Sequence, residues 1–161
     1  MRVEIVTEIA ELEAIAGPWK ELWRRHEGRD IFSAPEWWRA AWDAYGERRK
    51  LVAPVVYDAN EIVGILPLAV ESGKLIFAGS PRSDYNDIVC DPDRAPEIAR
   101  CAMKALASLP VAWRVGELEN VPGTSILMSL REDIRDIVGG YCRFSFSSDC
   151  PRVCLDSPEV A

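Results

Sequence analysis

The chain has one histidine, His26, in 161 residues. A Ser-His-Asp or Cys-His arrangement would rest on that single side chain. It lies beside arginines near the end of an expected helix, and a helix-terminus position is the simpler role. No P-loop and no Rossmann glycine set occurs. No apolar run approaches the ~20 residues needed to cross a bilayer. The N-terminal stretch MRVEIVTEIAELEAI carries acids where a secretory signal needs an apolar core. Positive charge is also short. Nineteen Lys and Arg face 26 Asp and Glu, for a net charge of −7. That balance excludes a protein built to neutralise the backbone of a nucleic-acid duplex. The basic pairs at Arg24-Arg25 and the run at 48–50 are diluted by acids and are expected to be solvated surface. The five cysteines are odd in number and scattered. Cys150 and Cys154 are spaced C-x3-C, with no second pair to complete a zinc set. No metal site is expected, the thiols are expected to be reduced, and cytoplasmic residence is the default.

What remains is an ordinary globular composition, 48% hydrophobic and 28% charged, in a chain long enough to bury one core. Residues 2–6 alternate as a short strand. Leu12, Ile15, Trp19, Leu22 and Trp23 recur at helical spacing over 9–27, with Pro18 as a kink or restart and Gly28 as the stop. Ser33-Ala34-Pro35-Glu36 has the form of a capping box, with Phe32 and Trp37 placed as a hydrophobic staple. Trp38, Ala41, Trp42 and Tyr45 continue that helix as an aromatic stripe, ended by Gly46.

An antiparallel meander follows, with strands at 51–57, 61–70 and 74–78. Pro54, Pro67 and Gly64 suggest bulges or edges within it. Asp93 is placed to cap a helix over 94–109. A strand is expected at 111–118, a helix at 127–138 ended by Gly139-Gly140, and a half-buried strand where Cys142, Phe144 and Phe146 alternate with polar residues. Residues 150–155 read as extended. Ser157-Pro158-Glu159 reads as a helix opening, so a domain over 1–156 is expected to lead at 157–161 into a second one.

The densest concentration of chemistry lies between two apolar runs, in LIFAGSPRSDYNDIVCD over 75–91. Asp84 can accept a proton from an amine or hydroxyl, with Tyr85 as hydrogen-bond partner or acid. The plainer account is that Asp84 and Asn86 close a turn through their own backbone. Arg82 can hold an anionic group or pair with Asp87. Trp37 can line a ligand surface, or serve only as the staple.

The element order is strand, two helices, three-strand meander, helix, strand, helix, strand. It resembles an α+β fold of the GNAT acyltransferase type, a mostly antiparallel mixed sheet flanked by helices. Trp19-x-x-Leu22-Trp23, the phrase from Phe32 to Trp42, the strand Val63 to Leu68 and the phrase from Phe77 to Asp87 together resemble the N-terminal half of CelD/BcsL-type acetyltransferases. Those proteins are associated with cellulose biosynthesis and related to Fem-type transferases.

The resemblance implies the acceptor-side domain of an acyltransferase, with a C-terminal GNAT-like domain as its partner. It implies acetyl-CoA or another acyl-CoA as donor. The acceptor would be a small molecule, a saccharide or a peptidoglycan precursor. On this reading Asp84 and Tyr85 are catalytic, and Arg82, Asn86, Asp87 and Trp37 bind the acceptor. One departure matters. A CoA-binding GNAT domain carries glycines where the meander feeds its main helix. Here that junction is Val89-Cys90-Asp91-Pro92-Asp93-Arg94-Ala95-Pro96. It offers no glycine, two prolines without amides and two aspartates. This chain alone is therefore expected to hold no CoA. The alternative is a catalytically silent packing or binding module.

Overall fold

The computed structural model describes residues 1–26 and 29–149. It is an α+β structure of two mostly antiparallel four-stranded sheets with helices on both faces. Strand β1 (Arg2–Val6) leads into helices α1 (Ile9–Ala14) and α2 (Ala16–Arg25). The break falls at Ile15, so Pro18 sits in the first turn of α2, where its missing N–H costs no helical bond. Helix α3 (Pro35–Tyr45) starts with Pro35 in its first turn and ends at Gly46.

Ser33 does not cap α3. The N-cap is Ala34, and Ser33 instead closes a reciprocal box with Asp30 around a 3-10 turn at Ile31–Ser33. Asp30 Oδ1 accepts from the amides of Phe32 at 2.7 Å and Ser33 at 3.1 Å. The Phe32–Trp37 staple forms, with the rings edge to face and centroids 4.9 Å apart.

Each long meander strand is divided. Strands β2 (Lys50–Leu51) and β3 (Ala53–Asp58) come from one run, and β4 (Glu61–Ile65) and β5 (Leu68–Glu71) from the next. The β2–β5 and β3–β4 ladders share one register, joined by Val52 N–H to Leu68 O and Leu66 N–H to Pro54 O, both 3.0 Å. Both prolines sit at this junction, where Pro54 has no amide to return. The bulge falls at Val63, between the Val56–Gly64 and Tyr57–Ile62 pairs. Gly64 serves another purpose: a Cβ there would lie 2.3 Å from Ile98 Cγ2, so its absence lets helix α4 (Ala95–Ala105) reach the sheet.

Strands β6 (Lys74–Phe77) and β7 (Val89–Cys90) pair antiparallel with β5 and β4 respectively. Strand β8 (Val115–Gly116) adds in parallel to β6. It is far shorter than the strand expected over 111–118. Alternation along β3 splits the core. Val52 and Val56 face Ile98, Ala102 and Met103, whereas Ala53 and Val55 face Leu12, Trp19, Leu22 and Trp38.

Asp93 does not cap α4: the N-cap is Arg94, without a side-chain bond, and Asp91 caps the preceding 3-10 turn at Pro92–Arg94, its carboxylate accepting from Asp93 N–H. The helix expected over 127–138 is two short pieces, α5 (Ile126–Ser129) and α6 (Ile134–Val138), the latter ended by Gly139 in the left-handed region. Residues 141–149 form no strand, and Tyr141 and Phe146 are exposed. Alternation alone could not create a strand with no neighbour to pair with among the described residues. The expectations at Gly28, over 150–155 and at 157–161 lie outside the described residues.

Candidate functional site

Phe77 pairs with Leu68, and Val89 with Ile65. Three positions along the neighbouring strand are thus spanned by twelve residues of chain. The excess leaves the sheet as an excursion over 78–88, which carries the whole polar cluster.

Its root is held from below. Arg49, expected at the surface, has a side chain only 6% exposed. Its Nη1 donates to Ser80 O at 2.6 Å and Ala78 O at 3.3 Å, and its Nη2 lies 3.5 Å from Glu71. Ala78 N–H donates to Pro67 O at 3.0 Å. The first turn is tight, since a Cβ on Gly79 would stand 2.0 Å from Ser83 Oγ. Ser83 Oγ in turn accepts from Trp37 Nε1 at 3.0 Å, which fixes the excursion to α3.

The far side is tied to the segment at 119–127. Asn86 N–H donates to Asn120 O at 2.9 Å, and Asn86 Nδ2 donates to Ser83 O and Glu119 O, each at 3.1 Å. Asp87 accepts from the amides of Ile88 at 2.8 Å, Ile126 at 2.9 Å and Leu127 at 3.4 Å. Burial pushes its carboxyl above the usual range, against the opposing pull of the Ser125 hydroxyl and these amides. Asn86 and Asp87 were expected to bind a ligand. Their polar groups are engaged by the chain itself and tie the excursion to the segment at 119–127.

Asp84 and Arg82 are exposed, and Tyr85 is half-buried. Asp84 Oδ1 accepts from Asn120 Nδ2 at 2.9 Å, so its carboxylate is oriented from one side. Arg82 is not paired with Asp87, and among the described residues no group partners its guanidinium. Tyr85 has a φ of +54°, in the left-handed region that a residue with a Cβ enters at a cost of ~1–2 kcal/mol. Its ring lies 6.3 Å from that of Phe32, which meets Trp37 edge to face. Phe32, Trp37 and Tyr85, all half-buried, form an aromatic face with Asp84 and Arg82 on neighbouring positions of the excursion.

Beneath this face lies a cavity of about 20 Å³, lined by Phe32, Ser33, Trp38, Ser83, Asn86 and Asp87 among others. It is the size of one water molecule. Arg82, Asp84, Tyr85 and Trp37 do not line it. The structure thus brings Trp37 to the excursion through Ser83, and turns Asn86 and Asp87 inward while Arg82 and Asp84 stay exposed and Tyr85 half-buried.

Residue-by-residue reading missed Arg49, Phe32 as part of the aromatic face, and Asn120. Only Asn120 carried a signal, an Asn before Val-Pro-Gly, a residue type suited to the φ of +57° it adopts. His26 ends α2 as expected but is buried, with Nδ1 3.3 Å from Cys90 O on β7. Among the described residues no group of His, Cys, Asp and Glu could hold a metal ion, and no helix is long and apolar enough to cross a membrane.

At the entrance to α4, Asp93 N–H is taken by the Asp91 carboxylate and Arg94 N–H by Asp91 O at 3.3 Å. Pro92 and Pro96 have no amide to offer. This junction does not fit a pyrophosphate. Comparisons with family models, with curated proteins and with solved structures returned no match.

Proposed function

We propose that this chain is the acceptor-side domain of a GNAT-type acyltransferase that moves an acyl group from a CoA thioester to an amine or hydroxyl. The observation that carries the reading is the excursion over 78–88. It interrupts a strand, holds Tyr85 at a positive φ and sets it against Phe32 and Trp37. Strained backbone kept at the edge of a sheet is where function is commonly found.

Asp84, steadied by Asn120, accepts the proton of the attacking group. Tyr85 offers its hydroxyl to the acceptor, and the faces of Phe32 and Trp37 receive its apolar part. The acyl-CoA belongs to the C-terminal GNAT-like domain that the resemblance implies, because the junction before α4 has no amides to spare for it.

The test is thiol release from acetyl-CoA by the protein carrying that second domain, against a panel of amines, amino sugars and peptidoglycan precursors. Asp84→Asn is expected to lower turnover ~100-fold or more, the usual effect of losing a general base. Turnover unchanged in Asp84→Asn and Tyr85→Phe refutes the catalytic assignment.

A second reading, a silent binding module, is favoured by the size of the cavity, which admits no acceptor. It requires that no member of the panel be acylated while partner binding persists.

A further inference from the structure

We propose that the cavity between α3 and the excursion is a binding site for one structural water molecule, which accepts from the Trp38 indole and links α3 to Ser83 and Asn86. This does not depend on the acyltransferase reading and would survive its failure.

Three independent observations meet there. First, Trp38 is 4% exposed and lines the cavity, and its Nε1–H is buried with no acceptor among the described residues. The ring itself is well placed, stacked on Trp42 at 5.8 Å and tilted against Trp19 at 5.8 Å. Turning the indole to find another acceptor would break both contacts. Second, the volume of about 20 Å³ exceeds the minimum for a single water and excludes anything larger.

Third, Ser83 and Asn86 among the other polar lining groups have the complementary capacity, while the Asp87 carboxylate already accepts three backbone amides. Ser83 Oγ accepts from Trp37 Nε1, which leaves its own proton to donate. Asn86 spends both protons of Nδ2 on carbonyls, which leaves Oδ1 to accept. A water at this point accepts from Trp38 and Ser83 and donates to Asn86, within the two to four partners a buried water needs. Ser33 Oγ adds nothing, since it is already engaged by Trp23 Nε1 and both backbone groups of Asp30.

The test uses the ¹⁵N-labelled chain. The Trp38 indole resonance is assigned by its loss in Trp38→Phe or, where that variant does not fold, by sequential assignment of the native chain. Water-selective NOE and ROE spectra are then recorded. The expected result is a direct Trp38 Hε1–water cross-peak with the NOE sign of a molecule resident for longer than about a nanosecond, and spherical density at the same place in a crystal structure. No cross-peak at Trp38 Hε1, with continuous protein density filling the site, overturns the proposal.

Discussion

Replacing Asp87 by Ala should unfasten the excursion from the C-terminal third of the described chain. In the native structure its two oxygens receive three backbone amides, at 2.8, 2.9 and 3.4 Å. Leu127 N–H has a second acceptor in Ser125 Oγ at 3.0 Å and survives the loss. Ile88 and Ile126 are left with unsatisfied donors. Each such donor costs ~1–3 kcal/mol, and the charge no longer buried gives part of that back, so about 2–4 kcal/mol should be lost. Asp87→Asn keeps one carbonyl oxygen and should lose about half as much.

The pH dependence has a definite sign. The folded carboxyl titrates above its unfolded value because burial outweighs its hydrogen bonds. Its contribution is therefore full below the unfolded value near 3.8 and is lost as pH rises through the folded one. The deficit of Asp87→Asn should be largest at the acid end of that window and shrink above it. Urea unfolding followed by tryptophan fluorescence measures both effects. A loss in Asp87→Ala below ~0.5 kcal/mol, the range of an ordinary surface change, would refute the latch. So would a deficit in Asp87→Asn that grows with pH.

Three further outcomes follow from the same contacts. Gly79→Ala should cost ~1–3 kcal/mol by driving a Cβ into Ser83 Oγ, and adding Ser83→Gly should recover part of it, a coupling read by a double-mutant cycle in urea. Arg49→Gln removes the guanidinium from the carbonyls of Ala78 and Ser80 and should lose ~1–3 kcal/mol, with faster proteolytic cleavage between residues 78 and 88. Cys90, buried and with its thiol pushed up to about 12 by burial and the nearby Asp87 and Asp91, should stay unlabelled by maleimide in the folded protein while half-exposed Cys101 is modified; peptide mass mapping decides.

What could be read from the residues followed the physics that each element obeys. Helical spacing located α3 and α4, because burying an apolar stripe is a local pattern with a tertiary consequence. Gly46 and Gly139 ended their helices as expected. The division of the first two meander runs was not legible. It depends on which neighbours take the outer edge of the β4–β5 run: β6 follows β5 directly, but β7 lies more than twenty positions beyond β4. Phe144 and Phe146 alternate as a strand would, yet no described edge receives them. Arg49 looked like one cation among three, and only the carbonyls of Ala78 and Ser80 above it explain its burial. At the site, the 78–88 stretch was recognisable by its density of polar groups. Which of them face outward was not, because the ties to Asn120 and Ile126 join segments more than thirty residues apart.

That division within the excursion is the strongest structural argument about what it is for. Ser83, Asn86 and Asp87 are turned to the protein, and their groups are taken by Trp37, by carbonyls and by amides. Arg82 and Asp84 are turned to solvent, and the half-buried Tyr85 closes an aromatic face between them and Phe32. A loop that only joined β6 to β7 could cross three strand positions with a few residues and would need neither set. Here an inner set fixes a segment that carries Arg82 and Asp84 at the surface. Pre-ordering exposed charge and aromatic surface in this way lowers the entropy lost when a ligand binds, which is the condition a recognition surface has to meet.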